Sequence, residues 1–122
     1  MNSLILIAHG SRVEDSNNEV VSLIKRLKDK NKDENLCISY AFLELAEPSI
    51  EHSIKEQIKK GCKKIILLPY FLAQGKHVKV DIPNEINKYK DLHKNIEFVL
   101  LPHLGANDMI IDLILSNAKG KI

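Results

Sequence analysis

The chain has 122 residues, of which 44% are hydrophobic and 28% are charged, proportions typical of a globular domain rather than a disordered segment. We expect a single domain over residues 1–122 with one hydrophobic core. A formal net charge of +2 is too small to indicate nucleic-acid binding, and the lysine clusters lack interleaved aromatic residues. Since no apolar run reaches the ~20 residues of a membrane span, and no charged segment typical of a signal peptide precedes the first one, we expect a cytoplasmic protein that binds neither nucleic acid nor membranes.

Four short runs rich in Ile, Leu and Val predict β-strands. They are Leu4–Ala8, Leu36–Phe42, Ile65–Leu68 and Ile96–Leu101. Each run is nearly continuous rather than alternating, which is typical of strands covered on both faces. The two cysteines form no CxxC or CxxH unit, so neither a zinc site nor a disulfide framework is expected.

Helical patterns separate and follow these strands. Their apolar faces are Val20, Val21, Ile24 and Leu27; then Ile50, Ile54 and Ile58; then Ile82, Ile86 and Tyr89; and last a stretch ending at Leu115. The expected helix ends are Pro48 at a first helical position, Gly61 after the second helix, Pro83 near the start of the third, Asn107 as N-cap of the fourth and Gly120 as its stop.

Strands that alternate with helices predict right-handed crossovers. The fold class is therefore α/β, an open, mainly parallel four-stranded sheet with helices on both faces. In such sheets ligands bind outside the carboxyl ends of the strands. This rule selects the loops at residues 9–12, 43–48, 69–77 and 102–105, which contain His9, His77 and His103.

Two histidines and one acid stand out in these loops. His9 follows the first strand, and the alternative for it is a capping or core histidine. Glu44 lies in the apolar run Phe42–Ala46, where an acid needs a partner unless it points to solvent. His77 lies in the long loop after the third strand, where the alternative is a surface histidine. Two imidazoles and a carboxylate suit Co, Ni, Fe(II) or Zn better than Ca or Mg.

The neighbours of these residues carry weaker signals. Gly10 permits a tight turn and the close approach of a ligand. Ser11 is better explained as a cap of the following helix than as a nucleophile, because the G-x-S-x-G elbow is absent. Neither glycine-rich phosphate-binding pattern is present, which disfavours a nucleotide site.

Three motifs resemble the small CbiX-type sirohydrochlorin chelatases, in order and spacing over nearly the whole chain. They are Leu6–Arg12 (LIAHGSR), Ala41–Ser49 (AFLELAEPS) and Pro69–Pro83 (PYFLAQGKHVKVDIP). The resemblance implies a class II chelatase fold corresponding to one half of the longer, two-lobed chelatases. It also implies a homodimer whose cleft supplies the substrate pocket.

The resemblance further implies the site. His9 and His77 would hold the metal, with Glu44 as a further ligand or proton acceptor, and His103 is held as a secondary site residue. We expect Arg12 and Lys76, together with Lys79, to meet carboxylates of the tetrapyrrole, and Ser11, Gln74 and Gly75 to lie at the substrate. The divalent metal is a substrate, and neither an organic cofactor nor an iron–sulfur cluster is implied.

The reaction expected is insertion of a divalent metal into sirohydrochlorin, with cobalt first and iron or nickel as alternatives. Cobalt would lead to cobalamin, iron to siroheme and nickel to a nickel tetrapyrrole coenzyme. Ligand type alone does not separate these ions. The other functions considered are a metal or tetrapyrrole carrier without turnover and a degenerate regulatory relative, the latter disfavoured by the intact His9, Glu44 and His77.

Overall fold

The computed structural model describes residues 1–121, and the side chains of all of these except His77. Strands and helices alternate as the sequence predicts. In chain order they are β1 (Asn2–Ala8), α1 (Glu14–Lys30), β2 (Leu36–Phe42), α2 (Ile50–Lys59), β3 (Lys64–Pro69), α3 (Lys76–Leu92), β4 (Glu97–Leu100), a 3-10 turn (Leu104–Ala106) and α4 (Met109–Lys119).

The four strands form one sheet in the order β2-β1-β3-β4, and every neighbouring pair is parallel. The predicted α/β fold is confirmed. The chain steps from β1 to one side and then crosses back to β3 on the other side, so β1 is flanked by both of the strands that follow it. The point between β1 and β3, where the winding reverses, is where open α/β sheets characteristically bind ligands.

Helices α2 and α3 cover one face of the sheet and form the main core. Ile5 and Ile7 of β1 are fully buried there, against Ile54 of α2 and Ile86 of α3. Helix α1 lies on the opposite face, where Ile24 packs near Leu6. The continuous apolar sequence of β1 therefore reflects burial on both faces.

Helix α4 departs from the expected arrangement. It follows β4, yet it packs appreciably only against the adjoining 3-10 turn and belongs to no hydrophobic cluster of the sheet. Its 11 residues are short for a membrane span. Among residues 1–121, no helix combines the length and apolarity needed to cross a membrane.

Several predicted helix ends need correction. Pro48 precedes the helix, since Ser49 is the N-cap of α2 and its Oγ accepts the backbone N–H of His52 at 3.1 Å. Pro83 lies inside α3, because that helix begins seven residues earlier, at Lys76. Asn107 is not the N-cap of α4, a position taken by Asp108, although its Oδ1 accepts the N–H of Met109 at 2.9 Å.

Two glycines end helices as the sequence predicts. Gly61 follows α2 with φ of +95°, a left-handed conformation that a side chain disfavours. Gly120 is the C-cap of α4.

Candidate functional site

The loops after β1 and β2 run side by side. The N–H of Leu43 donates to the carbonyl of Ala8 at 2.8 Å, and the N–H of Glu44 donates to the carbonyl of His9 at 3.1 Å. These bonds extend the parallel ladder past the ends of both strands. As a result His9 and Glu44, which are 35 residues apart in the sequence, become neighbours at the carboxyl edge of the sheet.

The side chains of His9 and Glu44 form a direct pair. His9 Nε2 lies 3.0 Å from Glu44 Oε1, and the two side chains are 53% and 54% exposed. An ionised carboxylate only accepts hydrogen bonds, so Nε2 carries the proton while the pair is intact. The lone pair of Nδ1 is then free to bind a metal or accept a proton.

Gly10 is what allows the two loops to lie so close. Its φ is +95°, and a Cβ at this position would lie 1.8 Å from the carbonyl oxygen of Glu44. The sequence predicted a close approach at Gly10, and the structure shows that the approaching group is the neighbouring loop.

An aromatic ring supports His9 from the third loop. The rings of His9 and Phe71 meet edge to face, with centroids 6.4 Å apart and planes at 89°. The N–H of Tyr70 donates to the carbonyl of Ile7 at 2.7 Å, which holds this loop against β1. His9 therefore lies at the β1/β3 reversal point of the sheet. Phe71 is not among the site residues predicted above; the sequence signal for it is an aromatic residue directly beyond a predicted strand.

Ser11 has a structural partner that the sequence did not reveal. Asn17 of α1 accepts the N–H of Ser11 at 3.0 Å through Oδ1 and donates from Nδ2 to the carbonyl of Ser11 at 2.7 Å. Ser11 Oγ accepts the N–H of Val13, just before α1 begins. The prediction that Ser11 caps α1 is therefore wrong, since the N-cap is Val13 and no side chain caps that helix end. The two-sided contact with Asn17 fixes the loop that follows His9.

The residues expected at the substrate lie in separate grooves. Ser11 and Arg12 line a groove between α1 and the loop after β2, together with Glu14 and Glu47. A second groove, between the start of α3 and the end of β4, is lined by Gln74, Lys79 and His103. Gly75 and Lys76 are exposed where α3 begins, Gly75 being its N-cap. Neither His9 nor Glu44 lines either of these two grooves.

The predicted location of His77 needs correction. It is the second residue of α3 rather than part of a long loop, because the connection after β3 ends at Gly75. The side chain of His77 lies outside the described residues, so its predicted meeting with His9 stays a prediction. Among the residues that the structure does describe, no group of three or more His, Cys, Asp or Glu side chains is arranged to hold a metal ion.

The fold and the site together define an α/β protein with an open imidazole–carboxylate pair at the reversal point of a parallel sheet. The chain belongs to the CbiX family, whose model matches residues 3–120. Both the expected family and the expected fold are therefore confirmed.

Two relatives and one solved structure illustrate the likeness. The chain is 30% identical to the sirohydrochlorin cobaltochelatase of Methanococcus maripaludis, over 98% of this chain and 99% of that protein. It is 33% identical to the sirohydrochlorin ferrochelatase of Priestia megaterium, over 94% of this chain but 42% of that protein. The cobalt complex of the sirohydrochlorin chelatase SirB from Bacillus subtilis subspecies spizizenii superposes with a TM-score of 0.82 at 25% identity, over 98% of this chain and 50% of that one. The fold thus corresponds to about half of the longer chelatases.

Proposed function

We propose that this protein is a sirohydrochlorin chelatase, which inserts a divalent metal ion into the tetrapyrrole and releases two pyrrole protons. Support comes from family membership and from relatives named as sirohydrochlorin cobalto- and ferrochelatases. The relative matched over almost its whole length is the cobaltochelatase, which favours cobalt as the first ion to test. Iron and nickel are the alternatives, and we assign the activity to the cytoplasm.

The observation that carries this proposal is the His9–Glu44 pair. Two ligands at about 2.1 Å from one ion and at right angles are about 3.0 Å apart. The separation of His9 Nε2 and Glu44 Oε1 is 3.0 Å. Loss of the Nε2 proton would therefore let a divalent ion replace the hydrogen bond with little movement of either side chain.

The same pair suits the proton transfer. A neutral imidazole is a base near neutral pH, and an adjacent carboxylate stabilises the imidazolium that forms. In the proposed reaction His9 takes a pyrrole proton or holds the entering ion, while Glu44 balances the charge. His77 is proposed as the further metal ligand, from its position in the first turn of α3.

The start of α3 suits the carboxylates of the substrate. The N-cap of α3 is Gly75, and the helix begins at Lys76. Its first turn contains no acidic residue, and Lys79 follows three residues after Lys76. Backbone N–H groups at a helix N-terminus and nearby lysines both attract anions. We propose that Lys76 and Lys79, with Arg12 across the site, bind carboxylates of sirohydrochlorin, and that Ser11, Gln74 and Gly75 lie against the macrocycle.

The proposed enzyme works as a homodimer. Within a single chain the pair is half exposed, and the residues proposed to bind the substrate line two separate grooves. A second copy would supply the missing wall of a pocket large enough for a tetrapyrrole.

The decisive experiment is a steady-state assay of the purified protein with sirohydrochlorin and Co²⁺, Fe²⁺ or Ni²⁺, each measured against spontaneous insertion at the same concentrations. We expect a saturable, enzyme-dependent rate with at least one ion. Tight binding of metal or tetrapyrrole without any gain over the spontaneous rate would instead show a carrier and refute the proposal.

A further inference from the structure

Three sulfur-bearing side chains meet at the amino edge of the sheet, the edge opposite to the His9–Glu44 pair. The thiol of Cys37, on β2, donates to Sδ of Met1 at 3.1 Å. Cys62 lies between α2 and β3, directly before Lys63, whose N–H donates to the carbonyl of Met1 at 3.1 Å. Both cysteines are free thiols. We call Met1, Cys37 and Cys62 the sulfur triad, and the proposed chelatase reaction uses none of them.

The register of the sheet turns both thiols toward the same buried amide. Ser3 is the direct partner of Cys37 in the ladder between β1 and β2, so their side chains point to the same face. That face is the one covered by α2, because Ser3 Oγ donates to Oε1 of Gln57 at 3.0 Å. The thiol of Cys62 donates to the same oxygen at 3.9 Å. Two cysteines that are distant in the sequence thus lie around one side chain of α2.

The electrostatics of Cys62 agree with this placement. Burial is the main reason that the pKa of the Cys62 thiol is raised, and Cys37 raises it further through charge repulsion and a side-chain hydrogen bond. Two thiolates repel each other at short range, and a cation between them replaces that repulsion with attraction. A metal ion can therefore displace both thiol protons.

The backbone separation favours a bound ion over a disulfide. Strand β1 lies between β2, which holds Cys37, and β3, which Cys62 precedes. Two interstrand spacings amount to about 10 Å. A disulfide needs Cα atoms within about 7 Å. Two metal–sulfur bonds of about 2.3 Å span roughly 2.5 Å more than one S–S bond, which makes up the difference.

The ligand types select the ion. Thiolates and a thioether are soft ligands, and among first-row ions they suit Cu(I). A structural zinc site needs a closed shell of four ligands. Within residues 1–121, no three or more His, Cys, Asp or Glu side chains are arranged to hold an ion, so the two thiolates have no such partner to complete a zinc shell.

We propose that Cys37 and Cys62, assisted by the thioether of Met1, bind one Cu(I) ion at the amino edge of the sheet. Each thiol releases its proton to solvent as its Cu–S bond forms, and no oxidant is required because the copper enters as Cu(I). The eight residue steps from Met1 to His9 along β1 separate the two sites by about 25 Å. The sulfur triad would therefore hold copper away from the pair proposed to insert metal. The copper site does not depend on the chelatase activity.

The test is an anaerobic titration of the reduced, full chain with Cu(I), in competition with a chromogenic Cu(I) chelator of known affinity. One ion per chain is expected. Loss of an outer-shell partner of a metal costs about 10- to 100-fold in affinity, so Cys37→Ser and Cys62→Ser, which each remove a ligand, should raise Kd by at least about 100-fold.

The variants are chosen so that folding is retained, which circular dichroism checks. The hydroxyl introduced by Cys62→Ser can still donate to Gln57 in place of the thiol. Ser39→Ala is the matched control for Cys37→Ser. Ser39 lies two residues further along β2 on the same face, with its Oγ 3.4 Å from Ser53 Oγ of α2, and the variant keeps every sulfur ligand. It should bind Cu(I) as tightly as the native chain.

X-ray absorption at the copper K-edge identifies the ligands directly, and sulfur neighbours alone are expected. Nitrogen or oxygen neighbours, undiminished affinity in either cysteine variant, one ion bridging two chains, or a native chain that leaves the chelator fully loaded would each overturn the inference. None of these outcomes alters the result expected in the chelation assay, which concerns residues at the other edge of the sheet.

Discussion

Gly10 lies directly against the backbone of Glu44. With φ of +95° and the Glu44 carbonyl at 1.8 Å from where a Cβ would be, no other residue fits without moving one of the two loops. The hydrogen bond from the N–H of Glu44 to the carbonyl of His9 joins the same two loops beside this contact. A residue without a side chain therefore sets the distance between the imidazole and the carboxylate.

The Gly10 contact predicts a graded series of alanine variants. Gly10→Ala is expected to lower the free energy of unfolding by about 2–5 kcal/mol, since it combines left-handed strain with a steric clash. Gly61 has the same φ but open space around its Cβ position, so Gly61→Ala should cost about 1–2 kcal/mol. Gly75 has neither feature and is the N-cap of α3, so Gly75→Ala should cost no more than about 1 kcal/mol, from the poorer cap alone. Urea denaturation of the three variants measures the series, and an equal cost at Gly10 and Gly61 would contradict the proposed clash.

His9→Ala is expected to lower enzyme-dependent metal insertion by at least about 100-fold, because both the proposed ligand and the proposed base are lost. The side chain is half exposed, so folding should be unaffected. His52→Ala is the matched control, since His52 is exposed on α2 and the substitution keeps the backbone N–H that it donates to the capping Oγ of Ser49. Full activity in the His9 variant would remove His9 from the mechanism.

Glu44→Gln keeps the shape of the side chain and removes its charge. We expect a fall in kcat of about 10- to 100-fold, because the imidazolium of His9 loses its stabilising partner. Glu47→Gln in the same loop is the control, since the Gln oxygen can still accept the N–H of Ser49 that Glu47 accepts at 3.1 Å. A change confined to KM would instead assign Glu44 to substrate binding.

The two cysteines should differ in reactivity. Burial raises the pKa of the Cys62 thiol, with smaller contributions from nearby Cys37. A raised pKa lowers the fraction of reactive thiolate at any given pH below it, so Cys62 should be alkylated only after unfolding. Cys37 is half-buried and should react in the native protein. Peptide mass spectrometry after iodoacetamide treatment measures the labelling of both cysteines. In the Cys37→Ser variant the reaction of Cys62 is observed by itself. Rapid labelling of Cys62 in the native protein would contradict its burial.

Local sequence patterns predicted the strands well, and also the edge of the sheet at which the candidate site lies. The apolar run at Leu36–Phe42 matches β2 residue for residue, and the rule for strand ends correctly placed His9 beside the loop that holds Glu44. The sequence could not give the contact between Gly10 and Glu44, because it depends on the register of two strands. It also could not give the contact of Phe71 with His9.

The errors arose where tertiary contacts override local signals. The sequence pattern predicts Pro83 near the start of its helix, but α3 begins at Lys76 and accommodates the proline in its interior. Its buried Val78 and Ile82 belong to the main core, and this packing holds the first turns in helical form. The position of α4 could not be read from the sequence either, because an apolar helix pattern does not say which surface it covers.

The openness of the His9–Glu44 pair has a consequence for how an ion would be handled. An ion held by this half-exposed pair and by His77, the further ligand proposed above, would keep water on the rest of its coordination sphere. Incoming pyrrole nitrogens can then replace those waters one at a time, and the protein never has to surrender an enclosed ion. In the proposed enzyme, residence of the metal would be brief, and the choice among cobalt, iron and nickel would pass from the protein to the supply of free ions around it.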